Sequence, residues 1–180
     1  MVVKGQSTQG PLSPGTTVDD ATVGNTAWAT PNNSQSSNDS YATFTTFSRG
    51  GTSHYLKATN YGFTIPAGAT INGILVETEA KRTSSVPTTD LRIVKNGSIS
   101  STLKQISIST TEAYISCPAS GASSDLWGET WTVSDINASG FGVVIGNIIN
   151  PISGTTSIDH IRITVYYTPS ASKPYLQVFQ

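Results

Sequence analysis

Near the end of the chain, apolar residues recur at every second position. Ile161, Ile163, Val165 and Tyr167 fall on one face of residues 158–168, and Arg162, Thr164 and Tyr166 on the other. A period of two is the mark of a strand with one buried face. Residues 73–81 repeat it, with Ile74, Val76, Thr78 and Ala80 opposite Leu75, Glu77 and Glu79. A helix cannot sort these residues onto a core face, so the pattern commits the chain to sheet.

Further strands are expected at 41–47, 54–59, 91–95, 98–104, 113–117 and 141–149, separated by turn signals every 8–15 residues. Asn96-Gly97 is a hairpin signal, because both residues tolerate positive φ. The run 141–149 is almost wholly apolar, which suits a strand central in its sheet. One stretch departs from the pattern. Between Trp131 and Gly140, Thr132 or Ser134 offers an N-cap and Gly140 a stop, so a short helical turn is expected near 132–138. Charged residues are only 12% of the chain. Ser, Thr and Gly take their place, which disfavours helix interiors. The expected fold is all-β: a two-sheet antiparallel sandwich of the jelly-roll type.

Three parts are expected. Residues 1–25, broken by Pro11, Pro14 and Gly15, read as an extended N-terminal arm, with Trp28 as an anchor pinning it to the body. Residues 26–169 form the sandwich. Residues 170–180 form an apolar C-terminal tail carrying Tyr175, Leu176, Val178 and Phe179. The tail either folds back on its own domain or docks on a neighbouring subunit by strand addition. In the second case those four residues are the assembly surface.

The net charge of -1 argues against nucleic acid or an anionic membrane as partner. Apolar stretches fall far short of the roughly 20 residues that cross a bilayer. The first residues lack the apolar core of a secretory signal, so synthesis in a cytoplasm is expected. A single cysteine, Cys117, excludes an intrachain disulfide.

The residues offer little catalytic chemistry. A nucleophile needs a base in reach and a third group to orient that base. The two histidines, His54 and His160, are read as surface or edge imidazoles. Asp159 and His160 are neighbours on a strand and should point to opposite faces. Glu77 and Glu79 share a face, about 6–7 Å apart by strand rise. They read as a solvated pair near Lys81 and Arg92 and not as carboxylates flanking a scissile bond. No cofactor is expected, and one Cys with two distant His excludes a standard zinc site. Calcium takes carboxylates and carbonyls, and Asp19, Asp20 and Asp39 are its candidates here. Trp127 and Trp131, with Tyr114, are candidates for an aromatic platform under a sugar ring. The competing reading makes them core and end-cap anchors, with Trp127 packed inward.

Several segments resemble a known domain: Ala27-Trp28, Tyr41-Ala42-Thr43, Tyr55-Leu56-Lys57-Ala58-Thr59-Asn60-Tyr61-Gly62-Phe63, Ile65-Pro66-Ala67-Gly68-Ala69-Thr70-Ile71, Ser124-Asp125-Leu126-Trp127-Gly128, Asp135-Ile136-Asn137-Ala138-Ser139-Gly140-Phe141 and Asp159-His160-Ile161-Arg162-Ile163. They are similar to a β-sandwich domain recurring in tailed-bacteriophage virion structural proteins and some bacterial surface proteins. The resemblance spans about residues 20–168. It implies a sandwich and a virion role, and it carries no catalytic residues. The expected function is a non-enzymatic virion structural protein, either a capsid decoration (cement) protein or a tail or fibre subunit. Its partners would be other virion proteins and copies of itself. The alternative is a carbohydrate-binding module or adhesin that meets a surface glycan.

Overall fold

Thr, Val, Ile and Tyr dominate the segments that become strands, as expected of residues that fit a pleated, half-buried surface. The structure is a computed structural model and describes residues 5–46, 51–83, 88–146, 149–150 and 153–171. Thirteen strands follow in order: β1 (Ser7–Leu12), β2 (Thr16–Asp20), β3 (Ala42–Thr46), β4 (Gly51–Thr52), β5 (Tyr55–Thr59), β6 (Thr70–Arg82), β7 (Thr89–Lys95), β8 (Ser98–Ile99), β9 (Lys104–Ile106), β10 (Ala113–Cys117), β11 (Gly142–Gly146), β12 (Ile149–Asn150) and β13 (Gly154–Thr168).

All pairings between these strands are antiparallel, and an isolated bridge, Thr26 to Ser53, is parallel. The first sheet runs β1-β13-β6-β10, with β3 also on β13; the second runs β2-β5-β11-β7-β8, with β9 also on β7. β3 takes the first half of one β13 edge and β1 the second half. Set aside the short or added strands, and β3, β13, β6 and β10 face β5, β11, β7 and β9. Apart from β7 and β9, which pair in one sheet, successive strands then cross between sheets in the manner of a jelly roll. The expected all-β sandwich is present.

The two inner faces meet in one cluster. Ile74, Val76, Ala80, Ile158, Ile161, Ile163 and Val165 come from the first sheet, and Leu56, Ala58, Leu91, Ile93, Val143 and Ile145 from the second. The period-two assignment therefore holds for β6 and β13, and β11 is central, between β5 and β7. Asn96 and Gly97 both take positive φ in the β7–β8 hairpin. The single α-helix among the described residues, α1 (Val133–Asn137), is capped by Thr132: its side chain accepts from Asp135 N, and the Asp135 carboxylate accepts from Thr132 N. The helix ends before Gly140, whose role is different. A Cβ there would lie 2.8 Å from Gly97 N, so only glycine lets α1's exit approach the hairpin.

Three expectations need correction. The described part of residues 1–25 is not an arm outside the body, because β1 is an edge strand of the first sheet and β2 of the second. Proline and glycine interrupt the segment only between strands and at the β1 irregularity. Trp28 does anchor this region: it is buried, and its Nε1 donates to His54 O at 2.9 Å. Second, Asp159 and His160 do not face opposite ways. The β6–β13 register shifts between Ile158 and His160. Ile158 and Ile161 both reach the core, which turns the two residues between them to the outer side. Third, His160 is no surface imidazole, being only 7% exposed. The tail residues Tyr175, Leu176, Val178 and Phe179 lie outside the described residues.

Candidate functional site

Alternation along β5 and β7 sends Leu56, Ala58, Leu91 and Ile93 inward. Tyr55, Lys57, Arg92 and Val94 consequently line the outer face of the second sheet. Register sets Lys57, Val144 and Arg92 abreast across three strands, so the two cationic residues start about 10 Å apart. Between them and the β7–β8 hairpin lies a concavity of about 540 Å³. Its lining includes Asp20, Tyr55, Lys57, Arg92, Ser98 and Ser100. Ile99 is the aliphatic side chain of the lining, and it packs on the buried cluster of Tyr55, Val94 and Val144.

The polar groups are held by the fold. Arg92 Nε donates to Tyr55 Oη at 3.2 Å, and its Nη1 to Ser100 O at 3.4 Å and to Ser101 O. Lys57 Nζ donates to Asp20 Oδ2 at 3.4 Å and to Gly97 O at 3.2 Å. Burial would raise the Asp20 pKa, but hydrogen bonds from Thr22 and Lys57 outweigh it and hold the carboxyl below its ordinary value. Ser100 Oγ donates to Glu129 at 2.6 Å. Apart from Asp20, marked in the sequence as a calcium candidate, these residues carried no signal beyond the outward positions of β5 and β7.

A second concavity, about 620 Å³, lies at one end of the sandwich. Ala67, Gly68, Ala69 and Thr70 form one wall, and Trp131 and α1's first residues the other. Trp131 is fixed by Nε1 donating to Leu126 O at 2.9 Å and by an edge contact to Phe141 at 5.4 Å. It is half-buried and lines the groove. The other platform candidates are elsewhere. Trp127 is wholly buried, with Nε1 donating to Ile74 O at 2.9 Å. Tyr114 lies on the outer face of the first sheet, under the Arg162 guanidinium at 3.7 Å. No shared platform of the three exists.

The calcium candidates also separate. Asp19 accepts from Trp28 N and lies 2.8 Å from His54 Nδ1, while Asp20 pairs with Lys57. Asp39 instead meets Glu112 and Asp159, each offering one oxygen within 4.8 Å of the others. Lys81 Nζ already sits 2.9 Å from Glu112, and Asp159 accepts from Asn38 N. Burial raises the Asp159 pKa, with the charges of Glu79 and Glu112 adding to the effect against backbone N–H groups of Asn38 and Asp39. Glu77 pairs with Arg162 at 2.9 Å, and not with Lys81 or Arg92. His160 stands between Ser13 Oγ and Tyr114 Oη, both at 2.9 Å, so neither ring nitrogen is left for Asp159.

No family model and no curated protein matches this chain. Among solved structures, the chain is similar to one described as "BiXyn10A CBM1 APO", with a TM-score of 0.41 at 9% identity, over 88% of this chain and 99% of that one. At that score the likeness carries no argument about function.

Proposed function

We propose that this chain is a non-enzymatic carbohydrate-binding module that meets its glycan in the groove beside Trp131. The observation carrying the reading is an indole held rigidly at the wall of a groove large enough for a sugar unit or two. A sugar's C–H face stacks on such a ring, and a ring fixed beforehand loses little entropy on binding. Thr70 and Ser134 hydroxyls stand in the same groove to meet sugar hydroxyls.

The test is isothermal titration against soluble β-glucan, xylan and mannan. Trp131→Ala should weaken the best binder by about tenfold or more, as loss of a stacking aromatic does. Because Trp131 also packs on Phe141, a second variant is needed. Ala67 is exposed on the groove wall. Ala67→Arg should block the groove without touching the core. Unchanged affinity in both variants would remove the reading. The virion-assembly alternative turns on Tyr175, Leu176, Val178 and Phe179. It remains a separate proposal about partners and virion location.

A further inference from the structure

Ion pairs join Asp19 to His54, Asp20 to Lys57, Glu112 to Lys81, Asp135 to Lys95, Asp125 to Lys104 and Glu77 to Arg162, and none of these involves Arg92. Its hydrogen-bond partners are a phenol and two backbone carbonyls, all neutral. Those bonds occupy Nε and Nη1, and the Nη2 end has no hydrogen bond to a described residue. The side chain is half-buried in the wall of the concavity. A charge partly withdrawn from water ordinarily gains from a counter-charge. Asp20 does not serve, because Lys57 and Thr22 already hold it. With two cations and one carboxylate, the lining is positive by one charge.

We infer that the concavity on the outer face of the second sheet is a binding site for a carboxylate-bearing sugar ring, with Arg92 as its anion anchor. A guanidinium held at one end and open at the other presents its N–H donors to a carboxylate in a fixed direction. Lys57, across Val144, is paired with Asp20, so the surplus positive charge of the lining lies at Arg92. Ile99 is the aliphatic side chain of the lining that an apolar ring face would meet, and exposed Ser98 offers a hydroxyl at the rim. The volume lies within the range of about 300–1,000 Å³ usual for small-ligand sites. This inference shares the glycan class of the Trp131 reading but rests on different residues at a different place.

The experiment is isothermal titration of the intact chain with trigalacturonate, its methyl ester and gluconate. Trigalacturonate should bind, more weakly as salt is raised. The ester keeps the rings but lacks the charge, and should bind at least about tenfold more weakly, the usual loss when a charged hydrogen bond goes. Gluconate carries the charge without the ring and should also be weaker. Arg92→Met should lose binding by a similar factor. Since Arg92 also ties the hairpin to β5, exposed Ser98 provides the second variant. Ser98→Asp places a competing carboxylate at the rim and should cut binding with the melting temperature unchanged. Trp131→Ala should leave trigalacturonate binding intact, which separates this site from the groove. Equal affinity for acid and ester, retained binding in both Arg92→Met and Ser98→Asp, or no binding of trigalacturonate would each overturn the inference. Gluconate binding as tightly as the trimer would overturn the ring component.

Discussion

His160 shows how one residue's surroundings set its chemistry. Its ring bridges Ser13, between the first two strands, and Tyr114 on β10, so one nitrogen donates and the other accepts. Burial, with Arg162 nearby, lowers its pKa below the ordinary 6.5, while Glu79, Asp159 and Glu77 pull the other way without prevailing. In the unfolded chain the imidazole takes up a proton near 6.5; in the folded chain it resists. The unfolded state therefore binds more protons in that window, and stability must fall as pH drops below about 6.5. Asp159 acts oppositely and lower: its raised pKa means the folded state binds the proton first above 3.8. Urea unfolding between pH 5 and 8 should show the stability loss, and His160→Gln should flatten it. An unchanged slope in the variant would assign the effect to another group.

At the scale of elements, α1 has only five residues and owes its place to its cap. A helix this short cannot persist on propensity alone. Thr132 and Asp135 satisfy each other's backbone donors, and Asn96 Nδ2 donates to Asp135 Oδ1 at 2.8 Å, tying the cap to the β7–β8 hairpin. Thr132→Ala should cost about 0.5–2 kcal/mol, the range for lost N-caps, read as a lower urea midpoint at constant slope. A null effect would place the helix under the control of Ile136's burial instead. The same element shows what could be read in advance. Thr132 as cap, Asn96-Gly97 as hairpin and the alternation of β6 and β13 are local chemistry, so they were legible in the sequence. The strands β1 and β2 were not, because Ser7–Leu12 and Thr16–Asp20 are mostly polar edge segments whose partners lie over 140 residues and about 40 residues away. Nor was the bulge at Asp159, which depends on pairing with β6. The Arg92 site was hidden for a related reason: Tyr55, Lys57, Arg92 and Ser98 converge only when β11 is inserted between β5 and β7. Of the platform residues, Trp131 reached a groove, while Trp127 went to the core, where its indole N–H meets the Ile74 carbonyl.

At the scale of the whole molecule, the chain's first strands close what its last long strand opens. β13 would otherwise leave half of one edge unpaired beside Ile163 and Val165, and β5 would leave an edge bearing Tyr55 and Lys57. Such edges are templates for pairing with other chains. β1 covers the first and β2 the second, and Asp19 fastens the cover through His54 and the Trp28 amide. Removal of residues 1–20 would take away both edge strands, the Ser13 partner of buried His160 and the Asp20 partner of Lys57. The core cluster draws almost wholly on residues beyond 20, so the sandwich should still collapse, but with two exposed edges. The truncated chain should melt at a clearly lower temperature and self-associate with rising concentration, read by calorimetry and light scattering. Adding back a peptide of residues 5–20 should reverse both effects by strand addition. A truncated chain that stays monomeric and melts as before would show that the first two strands only decorate a sandwich already complete without them.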